Sequence, residues 1–333
     1  MSRYDGSDIR AESPDEGVYN HAHRAFLQAF LSRSVMTVDE IKPVIAAVMS
    51  AKNPNRPRLE GDITAPDITS MLRVINLRLT PLDYEIRSTR DQRTKTLTYA
   101  LVNTTSDPLT QLATTFTSDE IAYVKRVLDR MFIDNNTRNA SLMAVTSMQA
   151  AQLAKVSRSR QSQVNGGRED AEGASQMEAS VKGISMPEAE TVLGQLIAQQ
   201  FFQKSRGGYF SLAPRGLMEL RSYLKETYNE PADEENGIAE KIRIRDCEGC
   251  REIVTVGLRC SDRACGVRWH DLCAQQYFNG QRGGGRMCPR CGVDWAGNEF
   301  VGERVAVGGQ RRTTGAGGQS SQTRRDEYED EDE

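Results

Sequence analysis

The chain has 333 residues, a formal net charge of −3 and 38% hydrophobic residues. That length holds two or three small domains, and no apolar run is long enough to cross a bilayer. The charge is unevenly placed: Asp326 to Glu333 contain seven acids, so the rest of the chain is mildly basic and the acidic end reads as a solubilising tail.

Residues 1–18 are polar and expected to be disordered. Helical periodicity begins at His21 and places Phe26, Leu27, Phe30 and Leu31 on one face. His21 and His23 are two apart, so a helix points them to different sides; they are expected to be surface histidines and not a metal pair. Thr37-x-x-Glu40 has the form of a capping box that opens a second helix, and Pro43 is expected to kink or restart it. A third amphipathic stretch over 67–79 aligns Ile68, Met71, Leu72, Ile75 and Leu79. Two strands, 84–88 and 96–102, then flank a polar turn at 89–95. Three helices followed by a β-hairpin is the winged-helix order.

The same order returns downstream. Thr117-x-x-Glu120 caps a helix with Ile121, Val124, Leu128, Met131 and Phe132 inside. A second helix is expected over 141–156. Residues 157–182 hold no aromatic and are expected to be a disordered insertion. Ser185-x-x-Glu188, with Pro187 in the first turn, opens a third helix expected to run to Phe202, with Ala189, Val192, Leu193, Leu196 and Ile197 inside. Arg206-Gly207-Gly208-Tyr209 marks a tight hairpin within 203–212. A last helix over 214–228 offers Leu217, Leu220, Tyr223 and Leu224 to its own core or to a partner. An acidic linker, 230–240, follows.

The first wing carries Arg87, Arg90, Arg93 and Lys95 against Glu85 and Asp91. A weak DNA contact through these cations stands beside the plainer reading of a solvated basic turn. The third helix of the second unit has Glu188 and Glu190 and no cation before Lys204, a poor match to phosphate, so protein binding is expected there.

All seven cysteines fall between Cys247 and Cys291, with His270 among them. The order is Cys247-x2-Cys250-x9-Cys260-x4-Cys265-x4-His270-x2-Cys273-x14-Cys288-x2-Cys291. Eight soft ligands in four close pairs make two four-ligand zinc sites. Seven cysteines cannot all pair as disulfides, no signal peptide is evident, and no thiol stands apart as a nucleophile. This cysteine usage fits a reducing compartment, cytosol or nucleus. The segment is small and Gly-rich, so metal must supply folding energy. With all four positions at each metal filled by protein, the zinc is expected to be structural.

The chain resembles, in a fungal form, the family of RING-finger subunits of the Smc five–six chromosome-maintenance complex, non-SMC element one. The resemblance covers roughly residues 19–300. Its markers are Ala25-Phe26-Leu27-Gln28-Ala29-Phe30, Tyr99-Ala100-Leu101-Val102-Asn103-Thr104, Phe210-Ser211-Leu212-Ala213-Pro214-Arg215, Leu220-Arg221-Ser222-Tyr223-Leu224 and the order of the finger ligands. It implies an α+β chain of tandem winged helices followed by a two-zinc, RING-like finger. The division is 1–18 disordered, 19–104 first winged helix, 105–232 second winged helix with its insertion, 241–303 variant RING and 304–333 disordered acidic tail. The resemblance also implies a nuclear protein of DNA repair and recombination, with a MAGE-family partner and a kleisin-like partner that bridges the SMC heads.

In a RING the ligand pairs interleave, so Cys247, Cys250, His270 and Cys273 would hold the first zinc and Cys260, Cys265, Cys288 and Cys291 the second. The same order describes a PHD finger, the histone-reading alternative of a non-catalytic, zinc-stapled chromatin-binding protein. A PHD usually carries Trp two residues before the seventh ligand, where this chain has Arg286. Trp269, Tyr277, Phe278 and Trp295 are expected to be core or rim residues and not a methyl-lysine cage. A RING normally acts as a ubiquitin ligase by docking a conjugating enzyme and positioning the ubiquitin thioester, with no catalytic residue of its own. Docking usually uses an aliphatic residue before the second ligand, a Pro after the seventh and a cation after the eighth; here stand Gly249, Pro289 and Gly292. Ligase activity is therefore expected to depend on a partner.

Overall fold

Helix starts are written into this chain as reciprocal caps, and the caps set the architecture. The computed structural model describes residues 19–104, 115–155, 182–232, 239–280 and 286–306. The disorder expected at 1–18, at 157–181 and at 307–333 falls outside the described residues. Lys182 and 304–306 are described: Lys182 N–H bonds the Asp119 carboxylate at 3.0 Å, and 304–306 form a helical turn. The acidic tail therefore cannot start at residue 304: Arg304 bonds Asp271 at 2.8 Å and the Gly257 carbonyl at 2.9 Å.

Helix α1 (His21–Arg33) is capped by Asn20, whose side chain accepts from Ala22 N–H while His23 accepts from Asn20 N–H at 3.2 Å. Burial, and then the charge of Lys52, lowers the His23 pKa and favours the neutral ring that can accept this bond. Phe26 and Phe30 are buried, but Leu31 is 55% exposed and leaves the expected inner face. Strand β1 (Val35–Thr37) leads into α2 (Val38–Lys52), where the Thr37–Glu40 capping box forms as expected. Pro43 does not restart the helix: its missing N–H costs one bond, to the Asp39 carbonyl, and α2 runs on. In α3 (Ala65–Leu79) all five predicted apolar residues are buried. Asn76 bonds both backbone groups of Ile86, at 2.9 and 3.0 Å, and so ties α3 to β2 (Tyr84–Arg90). β2 pairs antiparallel with β3 (Leu97–Asn103), and the sheet order is β1-β3-β2.

The second unit repeats this topology. Helix α4 (Ser118–Asp129) starts at the Thr117–Glu120 capping box. The helix expected over 141–156 is shorter. Ser141 bridges back to Asn136, β4 (Val145–Thr146) follows, and α5 spans Ser147–Gln152. Thr146 and Gln149 form a capping box that starts α5 late. Helix α6 (Met186–Ala198) ends before the expected Phe202: Gln200 turns left-handed at φ +59° and Phe202 opens β5 (Phe202–Lys204). β5 and β6 (Tyr209–Leu212) form the predicted hairpin, and the order β4-β6-β5 matches the first sheet. The expected helix over 214–228 is broken at Leu220 into α7 (Pro214–Glu219) and α8 (Arg221–Tyr228). Gly216 lies against the Phe201 carbonyl, where a Cβ would collide.

Helix α7 is the joint between the winged helices. Met218 packs with Val35, Ala100 and Val102 of the first sheet. Glu219 is buried beside it; burial raises its pKa and the Arg215 guanidinium, 3.2 Å away, opposes the rise. The finger holds β7 (Gly257–Arg259), β8 (Arg268–Trp269), α9 (Asp271–Gly280) and β9 (Phe300–Val301), in sheet order β8-β7-β9. Its Ile244, Ile253, Val254, Val267 and Val301 join the core of the second winged helix in one cluster. Asn229 accepts from the backbone N–H of Arg243 and Ile244 at 3.0 and 2.8 Å, which fastens the entering chain to the end of α8.

Two of the first wing's four cations are engaged by the finger and do not sit on a freely solvated turn, while Arg87 and Arg90 stay exposed. Arg93 pairs with Glu303 at 3.1 Å and Lys95 with Asp271 at 2.8 Å, both on the finger side. Arg87 pairs with Glu85 at 2.7 Å, and Arg90 donates to the Lys95 carbonyl. Gln92, between them, accepts from Thr255 and Val256 N–H at 2.9 and 2.8 Å and donates to the Ile253 carbonyl at 2.8 Å. Gln92→Ala strands these backbone groups, so it is expected to cost about 1–3 kcal/mol of stability. Amide exchange at Thr255 and Val256 should quicken in the variant; unchanged exchange would show the wing is not held there.

Candidate metal centre

The ligand atoms sit on two kinds of support. Cys247 and Cys250 lie on a tight turn in which Cys247 N–H bonds the Glu252 carbonyl and Arg251 N–H bonds the Cys247 carbonyl, at 2.8 and 2.9 Å. Cys288 and Cys291 repeat it: Cys288 N–H to the Val293 carbonyl at 2.8 Å, Gly292 N–H to the Cys288 carbonyl at 3.0 Å. The residue after each second cysteine is left-handed, Arg251 at φ +62° and Gly292 at φ +71°. Gly292 therefore serves the turn, where glycine meets no steric penalty. His270 and Cys273 come from the end of β8 and the first turn of α9, and Cys260 and Cys265 flank the turn after β7.

The structure sorts these eight into the two sets that the RING order implies. Cys247, Cys250, His270 and Cys273 form one group and Cys260, Cys265, Cys288 and Cys291 the other, with the ligand atoms of each group within 4.8 Å of one another. Cys260 and Cys291 sulfurs are 3.5 Å apart, and Cys265 and Cys288 sulfurs 3.6 Å. Those separations exceed a disulfide bond, about 2.0 Å. They suit a tetrahedral ion with metal–sulfur bonds of about 2.3 Å, which holds its sulfurs about 3.7 Å apart. His270 Nε2 lies 3.2 Å from the Ile253 carbonyl, which can only accept, so the ring proton belongs on Nε2. That leaves the Nδ1 lone pair, 3.2 Å from the Cys250 sulfur, to face the cluster. The residues present thus fit a metal at each point.

The thiols differ in proton affinity. The hydrogen bond between Cys250 and Cys247 lowers the Cys247 pKa and raises that of Cys250. Burial pushes Cys260 up, and Cys265 up to about 11. Burial raises Cys273 as well, so a metal must displace protons in both sets and protons compete with it at each.

The finger aromatics make a core. Trp269 stacks on Tyr277 at 4.7 Å and Phe278 on Trp295 at 5.0 Å. Trp269, Phe278 and Trp295 are buried, so they form no open cage for methyl-lysine. Trp269 also explains Gly249: a Cβ there would stand 3.1 Å from the indole and from the Cys273 Cβ. An aliphatic side chain at 249 would have to displace Trp269. In its place an ion pair joins the two cysteine turns, Glu248 to Arg290 at 3.2 Å, with Arg251 at 3.1 Å from the same carboxylate. Neither this pair nor Gln92 was singled out from the sequence, because neither belongs to a spaced motif. Pro289 is exposed beside it.

Two winged helices fused to a RING-like finger with two four-ligand clusters define the class of the protein. Residues 23–220 match the family described as Nse1 non-SMC component of SMC5-6 complex, and residues 247–291 match a RING-like domain. The chain belongs to the Nse1 family of SMC5-6 complex components. It is 23% identical over 279 residues to the human non-structural maintenance of chromosomes element 1 homolog, covering 84% of this chain and 85% of that one. Its likeness to the Schizosaccharomyces pombe protein is 21% identity, over 71% of this chain and 80% of the relative. The fold resembles a solved chain of an Nse1-Nse3-Nse4 complex, with TM-score 0.59, 20% identity and coverage of 83% and 97%.

Because finger and second winged helix share one core, metal removal is expected to loosen both. After chelation of the full chain, amide exchange should rise at Phe132 and Ala144 as well as within 247–301. Exchange confined to the finger would contradict the shared core. Metal release is also expected on acidification, as protons reclaim Cys260 and Cys265; a metal-sensitive dye would follow it.

Proposed function

We propose that this chain is the RING-bearing subunit of an SMC-type complex, works in the nucleus in DNA repair and recombination, and carries two structural zinc ions. The observation that supports it most is the succession of the Nse1 match over 23–220 and the RING-like match over 247–291 on one chain. The zinc ligands are Cys247, Cys250, His270 and Cys273 at one site and Cys260, Cys265, Cys288 and Cys291 at the other. In this reading the winged helices, 19–104 and 105–232, bind a MAGE-family subunit and a kleisin-like subunit, as the name of the Nse1-Nse3-Nse4 complex suggests. The finger, 241–303, packs on the second of them and is held by the wing of the first. Elemental analysis should find two zinc ions per chain, and Cys260→Ser should lower that number; one zinc in the wild-type chain would contradict the interleaved ligand sets.

The finger would act by position alone: it docks a charged conjugating enzyme and restrains the ubiquitin thioester for attack. Two features support conditional activity. Gly249 offers no side chain to a docking enzyme, and its neighbour Trp269 is buried. The Glu248–Arg290 pair crosses the surface between the two cysteine turns. Losing one apolar docking side chain forfeits on the order of 1 kcal/mol, several-fold in affinity. The free chain is thus expected to transfer ubiquitin slowly, and the MAGE-type partner to raise the rate in a reconstituted assay. Fast transfer by the free chain would remove the partner dependence. No transfer in any assembly would leave the second reading, a zinc-stapled scaffold, which the filled Gly249 position also favours.

Glu248→Ala offers a sharper check. An exposed ion pair contributes about 0–1 kcal/mol, so the variant should keep its fold and zinc. Transfer by the free variant is expected to rise a few-fold if the pair obstructs docking, and to stay unchanged if it does not.

A further inference from the structure

A cleft of about 330 Å³ lies between the finger and the second winged helix. Arg138 stands on its winged-helix wall, Lys241, Arg243 and Arg245 on the chain entering the finger, and Arg259, Arg263 and Arg268 on the finger itself. Glu240 and Asp262 are the acids in the lining. Lys241 and Arg243 share Glu230, at 3.8 and 3.4 Å, and Arg259 lies 4.0 Å from Glu299. Among the described residues, Arg138, Arg245, Arg263 and Arg268 have no carboxylate within ion-pair distance.

Arg268 is the most costly of these. It is 7% exposed, and its partners are neutral: Ser141 Oγ at 3.1 Å, Asn136 Oδ1 at 3.3 Å and Met143 Sδ at 3.3 Å. A buried guanidinium without a counter-charge is unfavourable. Nearby, Arg259 Nη2 is buried with no hydrogen-bond partner. Arg245 rests against Gly266, where a Cβ would collide with its guanidinium.

The second metal cluster accounts for part of this charge. A dication held by four thiolates carries two negative charges, and the fields of Arg245 and Arg259 reach Cys265 and Cys260. That balances two guanidinium groups on the metal side. Around the same cleft Arg138, Arg263 and Arg268 keep guanidinium donors that no carboxylate approaches to ion-pair distance, although Glu240 and Asp262 stand in the lining.

The geometry points to this cleft as a binding site for a phosphomonoester dianion. Such a group brings two charges and three acceptor oxygens, which forked guanidinium donors from several directions can share. A single carboxylate brings two acceptor oxygens in one plane, fewer than the guanidinium donors that line the cleft from several directions. The cleft is too small to admit a duplex, and its open side leaves room for the side chain or small molecule that bears the phosphate. The inference does not rest on the ligase reading.

Calorimetric titration of the zinc-loaded full chain with inorganic phosphate and with a phosphoserine peptide tests it. One saturable site per chain is expected, weakened at least tenfold by Arg138→Ser with Arg263→Ser, with zinc content and melting temperature unchanged. Arg245→Ser should weaken it independently. Peptide binding tenfold tighter than phosphate would identify a protein-borne group, and equal binding a free small phosphate; either supports the site. No saturable binding of either probe, or binding indifferent to both variants, overturns it. Binding of duplex DNA that the double variant abolishes, without binding of either phosphate probe, would give the cleft to nucleic acid and overturn it. Phosphate binding that appears only after removal of 326–333 would assign the cleft to the chain's own acidic tail and also overturn it.

Discussion

Eight soft side chains from four separated turns must meet at two points, and much of the molecule answers to that requirement. The finger's own core is small, centred on Trp269, Tyr277, Phe278 and Trp295. Ile244, Ile253 and Val254 turn toward the second winged helix, while the sulfurs and His270 turn toward the two ligand clusters. A segment this small cannot hold such an arrangement by hydrophobic burial alone. The ligand clusters shape the loops, and the loops complete the core next to Phe132 and Tyr228. The RING-like finger is thus a continuation of the second winged helix and not a separate bead.

Polar contacts then set the orientation of the first winged helix. Its wing reaches the finger through Gln92, Arg93 and Lys95, and its sheet meets α7 through Val35, Ala100 and Val102. These cations face carboxylates fixed on a neighbouring unit, Glu303 and Asp271. Partly buried pairs of this kind suffer less screening by salt than exposed ones.

Much of the secondary structure was legible because capping boxes and apolar spacing are local signals. Thr37–Glu40, Thr117–Glu120 and Ser185–Glu188 all begin helices where the pattern places them, and the inner face of α3 matches residue for residue. The misses share a cause. Thr146–Gln149 was another capping box hidden inside an Ala-rich run, so the helix expected from 141 starts six residues late. Gln200 adopts a left-handed turn without glycine, which composition does not announce. Pro43 stayed inside a continuous helix because tertiary packing of Ile41 and Ile45 outweighs one lost hydrogen bond.

The ligand inventory, the repeat of two helix-and-hairpin units and the identity of the core faces are legible along the chain, since each depends on residues near one another in it. Which cations meet which acids is a matter of the folded arrangement. It set Arg93 and Lys95 of the wing against the finger, bridged the cysteine turns with Glu248 and Arg290, and gathered seven cations around one cleft. Charge acts through space between residues that may be more than a hundred positions apart, as Arg268 and Asn136 are. No periodicity along the chain records that distance.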